Sequence, residues 1–240
     1  MTLRSPSIQT TAAVGTVIHH GQVFDFKNWN PPPLSEVSPT TTNTRHTPME
    51  AELQHQVEAL FAALEAQNLD YLLVGGIALL TYVEGRNTQD IDFILPREAL
   101  AQLPELVIES ENRDFLRGQF GVLPVDILLT QNRLFQRVLQ DFWGIRSLGD
   151  RAIRCVTVEG LVLLKLYALP SLYHQGQFNR VSLYENDILL LLLNYSIDVA
   201  PLLAILKQEV LGTDLESIEE ILVDIQGRLR RFDRSRFPEA

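Results

Sequence analysis

Apolar residues recur along this chain with two periods, a strand-like alternation mixed with short helices up to about residue 130 and a helical repeat after Val158. Order is expected from Thr47-Pro48-Met49-Glu50, a capping box with proline at the first helical position. Leu53, Val57, Leu60, Phe61 and Leu64 follow at helical spacing, and that helix ends near Gln67-Asn68. Tyr71–Val74 reads as a short buried strand, Ile77–Val83 as a helix with Gly85 as a left-handed stop, and Thr88–Leu95 as a second strand. Pro96–Leu103 opens another helix. Leu106–Glu109, Asp114–Phe120 and Val122–Leu129 read as strands parted by the turn residues Glu111-Asn112 and Gly121. Four helices are expected over Leu161–Leu169, Tyr184–Tyr195, Pro201–Val210 and Thr213–Phe232. The last has its own capping box, Thr213-Asp214-Leu215-Glu216, ahead of an apolar stripe from Leu215 to Leu229. The expected fold class is α+β: a mixed sheet with flanking helices over residues 47–157, then a small α-helical domain over 158–240.

Residues 1–46 break the pattern. Six of the twelve prolines fall before Met49, including Pro31-Pro32-Pro33, and Thr40 to Thr44 is a polar tract. Such a stretch buries too little apolar area to offset its ordering entropy, so a disordered extension is expected there. The remaining chain, in a protein of 240 residues with 46% apolar content, suffices for a sizeable core. The single cysteine, Cys155, excludes an internal disulfide and a cysteine-rich zinc site, and fits a cytoplasmic protein. No stretch approaches the roughly 20 apolar residues of a membrane span, and the N-terminus lacks a signal-peptide pattern. Net charge is −10, an unfavourable balance for gripping a polyanion. The dense basic run, Arg228, Arg230, Arg231, Arg234 and Arg236, reads either as a solvated helix end or as a contact to RNA phosphates or an acidic partner.

The candidate chemistry lies in Tyr71–Leu95. Asp90, Asp92 and Ile94 alternate with Ile91, Phe93 and Leu95, so the apolar trio can bury while two carboxylates share the other, open face. Like charges held that close call for a cation between them, and oxygen-only ligation suits Mg²⁺ completed by water and substrate phosphates. Fifteen residues before Asp90, the pair Gly75-Gly76 opens a helix whose bare N–H groups and dipole suit an anion. A phosphate cradle beside a metal-binding carboxylate pair points to a nucleoside triphosphate. Asp126, in the apolar strand Pro124–Leu129, is either an edge residue facing water or a third carboxylate beside the first two.

Gly75-Gly76, Arg86-x-Thr88-x-Asp90-x-Asp92 and the later Asp126 together resemble the DNA polymerase β-type nucleotidyltransferases, more narrowly the AbiEii-like enzymes of bacterial toxin–antitoxin systems. The resemblance covers roughly residues 50–195. It extends to Val158–Ala168, where Lys165 matches an inward-facing family lysine, and to Asp187, which matches a later aspartate. Two departures stand out: Gly76 replaces a common serine, and Leu183-Tyr184 replaces Lys-Asp within an Arg-x-x-Lys-Asp-x-x-Asp pattern ending here on Arg180 and Asp187. The resemblance implies transfer of a nucleotidyl group from NTP to an acceptor hydroxyl. Asp90 and Asp92 would hold Mg²⁺, and Asp126 would share a second ion or act as base. Gly75, Gly76, Lys165 and Arg86 would bind the triphosphate, with Asp187 orienting Lys165 or the nucleotide. The bland alternative for Lys165 is a lysine snorkelling from an apolar helix; its place amid leucines and the resemblance favour the phosphate contact. The acceptor stays open between the tRNA 3′ end, a protein and a small molecule. A cognate antitoxin is an implied partner of the toxin-type reading, and a catalytically idle interaction module is the reading from another class.

Overall fold

In the computed structural model of the chain, the described residues are 48–83, 88, 90–148 and 150–236. The expected N-terminal extension, the Thr47 cap, Gly85 and Arg86 lie outside them. Helix α1 spans Pro48–Ala66 and β1 Leu72–Val74, followed at once by α2, Gly75–Leu80, and then β2, Ile91–Leu95. A 3₁₀ helix over Arg97–Gln102 takes the place of the helix expected there. Strands β3 (Leu106–Glu111), β4 (Phe115–Phe120) and β5 (Leu123–Leu129) form a meander. Next come α3 (Arg133–Asp141), the hairpin β6 (Trp143–Leu148) and β7 (Arg151–Val156), and the helices α4 (Val158–His174), α5 (Phe178–Asn194), α6 (Ala200–Glu209) and α7 (Gly212–Arg236). Because α7 begins at Gly212, Thr213 lies inside its first turn and the expected capping box is displaced.

One seven-stranded sheet runs in the order β3-β4-β5-β2-β1-β7-β6. Strand β2 pairs antiparallel with β1 and parallel with β5, so the mixed character of the sheet is set around it. One face of β2 meets α1, where Phe93 packs edge-on against Phe61 and Tyr71 with ring centroids 5.7 Å apart in each pair. The opposite face carries Asp92 and Ile94. Helix α3 covers part of it: Phe115 of β4 packs against Phe135, which packs in turn against Tyr167 of α4. Ile94 is therefore fully buried, and the aspartate-bearing face is not the open surface expected of it. Asp90, Asp92 and Asp126 are all half-buried at its margin.

The helical half is seated on the sheet rather than hung from it. Thr157 caps α4 by accepting from the Gly160 N–H, and that helix packs into the same apolar core as α1 and the strands. Tyr82, just past α2, ties the two halves. Its hydroxyl donates to the Val156 carbonyl at 2.6 Å, while its own carbonyl accepts from the Tyr195 hydroxyl beyond α5 at 2.9 Å. No helix among the described residues is long and apolar enough to cross a membrane.

Candidate active site

The carboxylates are brought together by strand register. Asp92 of β2 is the direct partner of Asp126 on β5 in a parallel ladder, and Asp126 is the partner of Arg117 on β4 in an antiparallel one. Asp126 thus lies on an interior strand, which removes its reading as an edge residue facing water. Asp90 sits on the bend immediately before β2 rather than within the strand. Ligand oxygens of Asp90, Asp92 and Asp126 all lie within 4.8 Å of one another.

Each carboxylate has a partner of its own. The Thr88 hydroxyl donates to Asp90 Oδ1 at 2.7 Å. The Gly76 N–H donates to Asp92 Oδ2 at 3.3 Å, so this amide is spent on the carboxylate and is not the bare donor expected of it. Arg117 forks onto Asp126, Nε to Oδ1 at 2.7 Å and Nη2 to Oδ2 at 2.5 Å. Burial, and then the charges of Asp90 and Asp126, push the Asp92 carboxyl from 3.8 up to about 7, against the pull of the Gly76 amide and the Lys165 ammonium. The Asp126 hydrogen bond, and the charges of Asp126, Asp90 and Asp92, raise the Arg117 guanidinium further above its already high value.

Steric closeness explains the glycine pair. Gly75 has φ +68°, and a Cβ there would lie 1.9 Å from Asp92 Oδ2. A Cβ on Gly76 would lie 2.4 Å from Thr88 Oγ1, so serine at this position does not fit beside Thr88 as it stands. The departure at Gly76 is matched by its neighbour.

Lys165 and Asp187 meet across α4 and α5. Nζ donates to Asp187 Oδ2 at 2.8 Å, and both residues are buried. Lys165 is 5% exposed, which rules out a lysine snorkelling to solvent. Its ammonium lies 4.3 Å from the centroid of the Tyr184 ring. The same ring faces Arg180, whose Nη2 donates to the Tyr184 hydroxyl at 3.4 Å. Tyr184, read in the sequence as a helix start and a departure from the family pattern, is thus a packing partner of both cations. Arg117 had no signal in sequence, since only the β4–β5 register discloses its partner. In the basic C-terminal run, Arg228 is engaged by Glu185 at 3.3 Å and Asp224 at 3.1 Å, while Arg230 and Arg231 are exposed.

No family model and no curated protein matches the chain. Among solved structures it is similar to an antigenic nucleotidyltransferase-like protein from Paracoccidioides brasiliensis, at 15% identity and TM-score 0.48, over 77% of this chain and 91% of that one. It is also similar to ANT(2")-Ia in complex with adenylyl-2"-tobramycin, at 15% identity and TM-score 0.46, over 74% and 98% of the two chains. A third is the lincosamide antibiotic adenylyltransferase LnuA, lincomycin-bound, at 18% identity and TM-score 0.37, over 45% and 83%. By name the first is nucleotidyltransferase-like and the third an adenylyltransferase, and the second is seen with an adenylylated antibiotic.

Proposed function

We propose that the chain is a metal-dependent nucleotidyltransferase that moves a nucleotidyl group from an NTP to an acceptor hydroxyl. The observation that carries this reading is the cluster of three carboxylates, within 4.8 Å, on adjoining strands of one sheet. The donor set fits Mg²⁺: it is all oxygen, and three like charges within 4.8 Å of one another are relieved by a cation among them. Bound Mg²⁺ would neutralise and orient the triphosphate.

The chain's own residues then have distinct tasks. Asp90 and Asp92 hold the ion, each steadied by its own donor, Thr88 or Gly76. Gly75 and Gly76 let the backbone approach closely where a side chain would collide. Lys165, with its charge set by Asp187, biases the site toward anions, and Arg86 would add a phosphate contact. In the transfer, the acceptor oxygen bonds to the α-phosphorus and the bond to the bridging oxygen breaks. Pyrophosphate leaves with that electron pair, and the acceptor's proton passes to Asp126 or to solvent.

The resemblance to AbiEii-like enzymes suggests a cytoplasmic, toxin-type activity on the tRNA 3′ end with a cognate antitoxin. A net charge of −10 favours a second reading, an acceptor that is itself a protein, as in antitoxin-type enzymes that modify their partner. Incubation with each α-labelled NTP and Mg²⁺, in the presence of total tRNA or of cell lysate, tests both. Label on RNA supports the first and label on protein the second. Absence of label from every acceptor, with no NTP bound, overturns the enzyme reading.

A further inference from the structure

We infer that Arg117 fills the place of a second cation in the carboxylate cluster, so that the site takes one divalent ion, held by Asp90 and Asp92, rather than two. This rests on the metal-binding reading of the cluster. Arg117, Asp126 and Asp92 form one row across three neighbouring strands, fixed by ladder register and not by loop conformation. The guanidinium engages both oxygens of Asp126 and is two-thirds buried with it, so the fork is shielded from water on most sides. Planar, two-point recognition of this kind is the strong form of a carboxylate pair and resists exchange.

Charge decides the number of ions. With Asp92 ionised, as it is when it binds a cation, three carboxylates less one guanidinium leave two negative charges, matched by a single divalent cation. Lys165 adds no net charge to this count, because Asp187 is ion-paired with it, although its ammonium still pulls on the Asp92 carboxylate. The Arg117 guanidinium also feels Asp90 and Asp92, so it belongs to the cluster electrostatically as well as sterically. A second divalent ion would need to approach Asp126 against a fixed positive charge already bonded there.

Titration of the full-length chain with Mn²⁺, followed by the magnetic-resonance signal of the free ion, reads the count directly. One ion per chain is expected for the wild type and for Arg117→Lys, which keeps the charge. Two are expected for Arg117→Met, which removes it. The double variant Arg117→Met with Asp126→Asn removes opposite charges together. It is expected to fold if the single variant does not, and to bind one ion within about twofold of wild-type affinity. Two ions in the wild type overturn the inference. So does a count of one in Arg117→Met, or loss of the ion in the double variant, which would make Asp126 a ligand of the first ion. No Mn²⁺ bound by any of the four proteins overturns the metal reading itself.

Discussion

In the folded chain Asp92 keeps its proton up to about pH 7, whereas an ordinary aspartate loses it near 3.8. Between those values the folded state holds the extra proton, so its contribution to stability is present below the lower value and lost as pH rises through the upper one. With chelator present, Asp92→Asn should therefore melt higher than wild type at about pH 8, and the gap should close by about pH 4. A melting-temperature series across that range checks it, and a gap that widens toward acid would reverse the assignment. Adding Mg²⁺ should raise the wild-type melting temperature at the alkaline end and leave Asp92→Asn largely unmoved, because a cation stabilises the ionised form it binds. Gly75 gives a second test at this scale. Alanine there meets both a left-handed backbone and the Asp92 carboxylate, and should cost about 2–5 kcal/mol in urea unfolding.

Among the elements, α4 and α5 carry a buried ion pair whose removal is lopsided. Lys165→Met takes the ammonium away from Asp187 in an apolar setting and should cost about 3–5 kcal/mol. Lys165→Met with Asp187→Leu should regain most of that loss, since two apolar side chains replace two charges. Denaturant midpoints of the two proteins check this, and equal losses would show that the pair contributes nothing specific. Much of this layer was legible in the sequence because its apolar spacing is regular. β1, β2, β4, β5 and α4 to α7 all overlap the spans the periodicity predicts, with ends shifted by up to six residues, as at the start of α5. The segment 131–157 was not legible. Five of the six residues of β6 are exposed or half-buried, so no alternation marks the strand. Helix α3 did leave a signal, a cap at Asn132 whose side chain accepts from the Leu134 and Phe135 amides, followed by Leu134, Phe135, Val138 and Leu139 on one face. Asp90 and Asp92 could be found from their spacing on one strand. The Arg117–Asp126 pair could not, because it depends on which strands become neighbours.

For the molecule as a whole, the apolar core is continuous. Buried residues from Val57 in α1 to Ile225 in α7 belong to one cluster that includes the strands. Tyr82, just past α2, adds hydrogen bonds to β7 and to the end of α5. The sheet-bearing half and the helical half should therefore unfold together. A single calorimetric transition, coincident with loss of helical dichroism, is the expected result. Two resolved transitions would show that the halves are independent domains. Removal of everything after Thr157 should give an aggregating product, because Leu72, Leu73 and their neighbours would lose the apolar helices packed over the core.

The row Arg117–Asp126–Asp92 also sets which changes in length the gene tolerates. A side chain on a strand changes faces with every residue of slippage, so a single codon gained or lost within β5 would turn Asp126 away from Asp92 while leaving every other residue type intact. The β3–β4 turn around Asn112-Arg113 lies outside that row. In a library of single-codon insertions scored for activity, β2 and β5 should be barren and the β3–β4 turn permissive, even though neither set of changes removes a charged residue.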